Sequence, residues 1–495
     1  MIPLADLISN LKTKRVAGPE NVDIKGMTYD SRHVEPGDLF FCLPGAKADG
    51  HDFATQALAR GAAAFVVERE LPLEGATQII VADSRKTMAA LAAIFYGHPA
   101  RQLRMIGVTG TNGKTTTTYL IKAILEKAGL GVGLIGTIQS LIGERVIPVR
   151  NTTPESLDLQ HLLRRMVDAK LKYAVMEVSS HALSIGRVAG CEYDTAVFTN
   201  LTRDHLDFHR TFDNYAAAKA LLFAGLGKNA HKQGAKTAVI NLDDDYGTFM
   251  AGQTTVSVLT YGVERDGMIR AENVQVTARG TSFTAVTPRG EIELRLKITG
   301  MFNVYNVLAA IGAALAEGIA PETIKMALEE FNSVAGRFEL VEAGQDFAVV
   351  VDYAHTPDGL ENILQTAKKF VQGKIIVVFG CGGDRDRTKR PIMGALAARY
   401  ADFTVITSDN PRSEEPVSIM REIEKGLKEE RIRSDQYIMI ADRTEAIRAA
   451  INRAQADDIV LIAGKGHETY QILKERTIPY DDREVARGIL KEMKA

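Results

Sequence analysis

Cysteine is scarce: Cys42, Cys191 and Cys381 are the only three in 495 residues, far apart and with no CxxC pair. Neither a disulfide framework nor a zinc knuckle is indicated. A surplus of one charge sign is lacking as well. Lys plus Arg is 60 against 62 for Asp plus Glu, a net charge of −2, so the basic excess that a general nucleic-acid scaffold uses against phosphates is missing. No apolar run reaches the ~18 residues of a membrane span. The opening MIPLADLISNL carries Asp6 early and has no basic segment leading into an apolar core, so no signal peptide is expected. Internal repeats and low-complexity segments are missing too. What remains is 45% hydrophobic and 25% charged residues, a balance that excludes disordered, collagenous and coiled-coil chains. At ~150 residues per domain, the length suggests about two to four domains. A cytoplasmic, multidomain, soluble protein is expected.

Three stretches differ in rhythm. In residues 1–100, short apolar runs (Leu39–Cys42, Ala64–Val67, Ile79–Val81) alternate with alanine-rich helical stretches such as 54–63, which reads as a small α/β domain. Turn residues at 97–101 mark a linker after it. Residues 101–335 open with a strand at 105–108, a glycine loop and a helix over 115–128. Further strands are expected at 173–178, 195–199 and 237–241. Antiparallel hairpins are expected over 267–298, with turns at Arg279–Gly280 and 288–290, and then a helix from Asn303 to about Glu317. From about Gly336 to the end, strands at 348–351, 375–379, 403–407, 437–440 and 459–463 alternate with helices, which predicts a parallel, doubly wound, Rossmann-like sheet.

The strongest local signal is Gly107-Val108-Thr109-Gly110-Thr111-Asn112-Gly113-Lys114-Thr115-Thr116. A strand feeding a glycine loop and a helix aims backbone N–H groups and the positive helix end at a polyphosphate. Lys114 would reach the β/γ-phosphates and the Thr115 hydroxyl would take Mg²⁺. The strict pattern wants its first glycine where Val108 stands, so this is a variant loop. Glu177 ends a buried-looking strand, and His205 follows the next strand within 200–207. Each alone reads as a solvated carboxylate or a capping histidine. At successive strand ends behind a phosphate loop, they become Mg²⁺ neighbours. Lys219, on a helix, reads by composition as a lysine reaching to solvent. Near the C-terminus, Gly383–Arg387, Asp409–Arg412 and Gly464–Glu468 each follow a strand. Three charged loops on one sheet edge suit a zwitterionic amino acid, with guanidinium forks for carboxylates and a glutamate for an ammonium.

At these residues the sequence resembles the Mur ligase family, ATP-dependent amide-bond ligases of peptidoglycan precursor synthesis. The run Gly110–Thr116 is similar to that family's phosphate loop. Glu177, the 200–207 stretch, Asn303 and Asn306, Gly336-Arg337-Phe338 and Asp352-Tyr353-Ala354-His355 resemble its remaining signatures, in the family's order over about 26–480. Asp30-Ser31-Arg32 and Pro36–Phe40 resemble its UDP-sugar domain. Asp409-Asn410-Pro411-Arg412 looks like the signature of the branch that uses meso-2,6-diaminopimelate.

The resemblance implies three domains: 1–100 for the UDP-sugar, 101–335 for ATP and 336–495 for the amino acid. It implies addition of meso-diaminopimelate to the D-Glu γ-carboxylate of UDP-N-acetylmuramoyl-L-Ala-D-Glu through an acyl phosphate. ATP would lie on Gly110–Thr116 with Asn303, Arg337 and Asp352. The sugar-peptide would meet Ser31, Asn151, Thr152, Thr153, Ser179 and Arg187. Diaminopimelate would meet Arg385, Asp409, Asn410, Pro411, Arg412, Gly464 and Glu468. Two Mg²⁺ ions would sit near Thr115, Glu177, His205 and Lys219, the lysine carbamylated by CO₂, with Lys114, Lys219, Glu177 and His205 as catalytic residues. A monomer without nucleic-acid or membrane partners is expected. Three alternatives stay open: an L-lysine-adding homologue, a folylpolyglutamate-synthase-like ligase, and a non-catalytic nucleotide-binding regulator. The 30–40 segment and the 409–412 loop speak against the folate reading.

Overall fold

The computed structural model of the chain describes residues 1–9, 11, 14–45, 48–149, 151–228, 231–277 and 280–493. Two units result, Met1–Arg270 with Asn306–Ile324, and Ala271–Tyr305 with Lys325–Ala495.

In the first unit, the N-terminal region builds a sheet in the order Arg15–Ala17, Thr77–Ile80, Ala64–Val67, Asp38–Phe41, Gly26–Thr28, parallel except at its first edge. Asp38–Phe41 and Ala64–Val67 are buried along their whole length, as expected of parallel strands covered on both faces. The expected helix at 54–63 is shorter, Ala54–Ala59, and stops before Gly61, which has φ +96°. The expected linker at 97–101 is not plain coil. His98 adopts φ +49°, Pro99 starts a short helix to Gln102, and Arg101 pairs with Glu192 at 2.7 Å. Proline in the first turn favours that outcome, because its missing N–H would be unpaired there anyway.

Also in the first unit, a parallel sheet runs Val132–Ile135, Tyr173–Glu177, Arg104–Thr109, Thr195–Phe198, Thr237–Asn241, Ser257–Gly262. The Arg104–Thr109 strand therefore lies inside the sheet, and the helix Lys114–Lys127 springs from its C-terminal end. In the second unit, Gly280–Thr287 and Gly290–Leu296 form the expected antiparallel hairpin. Arg279, half of the other expected turn, lies outside the described residues.

The second unit's main sheet runs Glu339–Leu340, Ala348–Asp352, Ile459–Ala463, Ile375–Phe379, Phe403–Ile406, Tyr437–Met439, and all but the first pair are parallel. Its helices are locally specified. Thr356 caps Pro357–Phe370 by accepting from the N–H of Gly359, and Pro357 opens the first turn. Leu360, Ile363, Leu364 and Ala367 form a buried stripe, and Lys368 and Lys369 sit in the last turn, where cations suit the helix dipole. Removing the Thr356 cap should cost about 1 kcal/mol. Among the described residues no helix is long and apolar enough to cross a membrane.

Candidate active site

The phosphate loop is pinned to the end of the neighbouring strand. The Thr111 N–H donates to Asn200 O at 2.8 Å, the Asn112 N–H to Asn200 Oδ1 at 2.9 Å, and Thr199 Oγ1 to Asn112 O at 2.6 Å. Glycine is obligatory at two points. A Cβ on Gly110 (φ +152°) would fall 1.9 Å from Thr199 Oγ1, and one on Gly113 (φ +83°) 2.3 Å from Asn306 Oδ1. The loop is thus a preformed cradle whose shape depends on backbone approach. Lys114 folds back on it, donating to Gly110 O at 3.0 Å and Thr111 O at 2.8 Å. Thr115 and Thr116 are buried in the first helical turn.

Lys219 comes to the same loop. The helix Phe212–Gly225 carries it, the side chain is buried, and its Nζ donates to Gly110 O at 2.7 Å while lying 4.5 Å from the Tyr215 ring centroid. Burial, assisted by the Lys114 charge, pushes its pKa well below the ordinary lysine value, because desolvation disfavours the ammonium. The solvent-reaching alternative is therefore wrong for Lys219: the helix turns this residue inward. Tyr215, which the sequence did not single out, hydrogen-bonds Thr111 Oγ1 at 3.0 Å, and burial pushes its hydroxyl pKa up.

Glu177 is 1% exposed and accepts from the Thr137 N–H at 2.8 Å and Thr137 Oγ1 at 3.0 Å. His205 is half exposed at φ +52°, with its ring 4.8 Å from His181 and 6.2 Å from Tyr215. Thr152 and Thr153 join the Glu177 neighbourhood. Thr152 Oγ1 lies 3.1 Å from Thr137 Oγ1, and Thr153 Oγ1 donates to Glu177 O at 2.9 Å and accepts from the Ser179 N–H. Ser179 caps the next short helix, and Arg187 reaches Thr153 O at 3.2 Å and Glu155 at 3.0 Å. Asn151 is exposed. Ser31 is placed in the N-terminal region, donating to Gln56 Oε1 at 2.9 Å.

Three expected ATP residues lie in the second unit. Asn303 is buried and donates to Thr299 O at 2.8 Å. The Arg337 guanidinium lies 5.1 Å from the Tyr353 ring centroid. Asp352 accepts from the N–H groups of Phe338 at 2.7 Å and Ala354 at 2.8 Å, and burial raises its pKa against the pull of Arg337.

The second unit also gathers the charged loops. Asp409 and Asn410 are buried, and Gly464 (φ +117°) admits Asp409 so closely that a Cβ would fall 2.7 Å from its Oδ2. Arg412 (φ +53°) donates to Gly383 O at 2.9 Å, and the Gly383 N–H returns a bond to Asn410 O. Asn410 Nδ2 donates to Glu468 Oε2 at 2.9 Å. Gly382 sits near both Arg412 and Arg385, so the 380s loop and the 409–412 loop meet, with Arg385 exposed. Two further residues belong here. Lys465 bonds Glu468, and Arg390, 0% exposed, bridges Glu414 and Glu422 at 2.8 Å each and reaches Gly382 O. Lys465 could have been suspected from its place between two glycines after a strand. Arg390 carried no local signal, since its partners lie 24 and 32 residues away.

Thr115, Glu177 and His205 test the fit of a metal. Among the described residues, no three His, Cys, Asp or Glu side chains converge as metal ligands. Mg²⁺ is ordinarily held by one or two protein groups plus phosphate oxygens and waters, and a hydroxyl at the phosphate loop with one buried carboxylate fits that sparse donor set.

Comparison with known proteins agrees over the whole chain. Residues 23–99 match the Mur ligase family catalytic domain, 108–314 the Mur ligase middle domain, and 336–466 the Mur ligase glutamate ligase domain. A UDP-N-acetylmuramoyl-L-alanyl-D-glutamate–2,6-diaminopimelate ligase of Geobacillus thermodenitrificans (strain NG80-2) is 52% identical over 489 residues, covering 99% of each chain. A protein of the same description from Syntrophomonas wolfei subsp. wolfei is 48% identical, again over 99% of each. A solved structure of such a ligase, 33% identical, superposes with a TM-score of 0.71 over 100% of this chain and 99% of that one. A Mycobacterium tuberculosis folylpolyglutamate synthase, 17% identical with a TM-score of 0.61, covers 77% of this chain and shares the fold. With three domain matches in order and half-identical relatives along its full length, the chain belongs to the Mur ligase family.

Proposed function

We propose that the chain is the ATP-dependent ligase that joins meso-2,6-diaminopimelate to the D-glutamyl γ-carboxylate of UDP-N-acetylmuramoyl-L-Ala-D-Glu in peptidoglycan precursor synthesis. The observation that carries this reading is 52% identity over 99% of the chain to a ligase of that description. The Asp409–Arg412 loop clasped to the 380s loop supports it. We assign domains 1–100, 101–335 and 336–495 to UDP-sugar, ATP and amino acid.

In the proposed reaction the γ-carboxylate attacks the ATP γ-phosphate, giving an acyl phosphate and ADP. The diaminopimelate amine then adds to the acyl carbon, and phosphate leaves. Two anions must approach in the first step. The phosphate-loop N–H groups and Lys114 are suited to compensate them, and Lys114 donates to Gly110 O and Thr111 O, backbone carbonyls that a polyphosphate can outcompete. Mg²⁺, when bound, supplies charge neutralisation across the phosphates; Thr115, Glu177 and His205 are the residues that would hold it. Asn303, Arg337 and Asp352 serve ATP, and Ser31, Asn151, Thr152, Thr153, Ser179 and Arg187 the sugar-peptide.

Lys219 is proposed to act as a carbamate. Its depressed pKa favours a neutral amine, the form whose nitrogen can attack CO₂ and release a proton. Lys219→Ala should lose activity and recover part of it with a short-chain carboxylate; full activity without rescue would remove that role. The chain is assigned to the cytoplasm, as a monomer, which light scattering checks.

The deciding experiment is phosphate release from ATP with UDP-N-acetylmuramoyl-L-Ala-D-Glu and meso-diaminopimelate, L-lysine or no amino acid. Release that requires meso-diaminopimelate is expected. Release with lysine alone would keep the chemistry and refute the selectivity; release with neither would refute the reading.

A further inference from the structure

One buried cation in the second unit finds all its polar partners inside the proposed amino-acid cluster. Lys465 follows the Ile459–Ala463 strand and is 0% exposed. Its Nζ donates to Asn410 Oδ1 at 3.2 Å and Glu468 Oε2 at 3.1 Å, and lies 5.6 Å from the Tyr470 ring centroid. Burying an ammonium is costly unless its charge is paired and its protons are bound. Here that compensation comes from two side chains that the sequence had already assigned to the incoming amino acid. The flanking glycines hold the segment close. A Cβ on Gly464 would fall 2.7 Å from Asp409 Oδ2, and one on Gly466 2.6 Å from Tyr353 Cβ.

These bonds dictate orientation. Asn410 Oδ1 accepts from Lys465 and from the Ile472 N–H at 2.9 Å. With its oxygen held by two donors, the Asn410 amide turns its Nδ2 toward Glu468, 2.9 Å away. Glu468 Oε2 therefore accepts from both Lys465 and Asn410, while Oε1 takes no hydrogen bond from the described residues. One carboxylate oxygen is anchored and the other is presented.

We infer that Lys465 is a positioning residue, fixing the Asn410 amide and the Glu468 carboxylate so that Glu468 Oε1 receives an ammonium of the incoming diamino acid. This rests on the function proposed above. The role is orientation rather than direct attraction, since the Lys465–Glu468 pair is neutral as a whole.

A double-mutant cycle read on the amino acid tests it. Lys465→Met keeps the stem and drops the charge; it should raise KM for meso-diaminopimelate roughly tenfold or more, with KM for ATP and for the UDP-sugar dipeptide within about twofold. Glu468→Gln should raise the same KM. Lys465→Met in the Glu468→Gln background should then add at most about twofold, because the lysine acts through that carboxylate. Losses that multiply in the double variant, or KM values for all three substrates rising together, would overturn the assignment. Thermal melts accompany each variant. Should Lys465→Met not fold, Lys465→Gln, which retains a donor for Asn410, takes its place in the cycle; failure of both to fold overturns it, Lys465 being then a structural residue. Wild-type protein that releases no phosphate with meso-diaminopimelate refutes the proposed function instead, before any variant is made.

Discussion

The phosphate loop of the first unit and the charged strand edge of the second treat their cations differently. In the first, the Lys114 ammonium donates to Gly110 O and Thr111 O, and Lys219, its pKa depressed by burial, shares Gly110 O. In the second, three buried cations are locked to carboxylates: Lys465 to Glu468, Arg390 to Glu414 and Glu422, and Arg443 to Asp482 at 2.7 Å with both side chains 0% exposed, while Arg412 rests on Gly383 O. A lysine ammonium resting on neutral carbonyls gains when an anion arrives, because two opposite charges then attract where before a charge met only a dipole. An arginine already held by a carboxylate has little to gain and serves instead to fix loops. The first edge is built to exchange partners, and in the second the carboxylate-held cations fix a shape around Arg412, which alone of those named can exchange its carbonyl for an anion.

The largest effect that could break this comparison is at Lys114. Lys114→Ala should lower phosphate release on the order of 10³-fold, the scale of losing a preorganised charge partner, with the melting temperature nearly unchanged. Near-normal turnover would mean that the carbonyl-bound lysine is not the anion's partner. The converse holds at Asp482. Its removal strands a buried guanidinium that also donates to Ala463 O at 3.0 Å, so Asp482→Ala should cost about 3–5 kcal/mol of stability in urea melts. A loss below about 1 kcal/mol would show that the second edge is not held by its ion pairs.

A smaller effect sharpens the picture at Arg412. Diaminopimelate carries one carboxylate more than lysine, and a site guanidinium left without that partner discriminates against lysine. Arg412→Ala should reduce the ratio of kcat/KM for the two amino acids by about tenfold or more; an unchanged ratio would move the selector elsewhere. The smallest effect is acid sensitivity at Glu414. The Arg390 guanidinium holds its carboxyl at about 2, below its ordinary 4.5. A depressed folded pKa stabilises above the unfolded value and loses that stabilisation as pH falls through the folded one. Stability of the second unit should therefore decline between pH 4.5 and about 2, and Glu414→Gln should flatten that part of the acid unfolding curve.

Much of the fold was readable because its signals are local. Apolar runs of four or five residues between turn residues marked the parallel strands, and glycine, lysine and threonine at a strand–helix junction marked the phosphate loop. The strand edge of the second unit could be anticipated because three charged loops each followed a strand. Less local features escaped. The linker expected at 97–101 holds a short helix, Pro99–Gln102, that its turn residues did not announce, because Pro99 fits a first helical turn and Arg101 finds Glu192, 91 residues away. Tyr215, Thr137 and Arg390 carry no motif, and their partners are distant in sequence.

The chain alone determined the order of its elements, the parallel sheets and the residue types available for phosphate and amino-acid recognition, since periodicity, capping and glycine placement act over a few residues. Tertiary structure decided which of those residues are buried and what they touch. Lys219 illustrates the division. Its sequence neighbourhood is an ordinary alanine-rich helix, and only packing against the phosphate loop removes water from its amine. Desolvation is a property of everything that surrounds a group, and no window of sequence contains it.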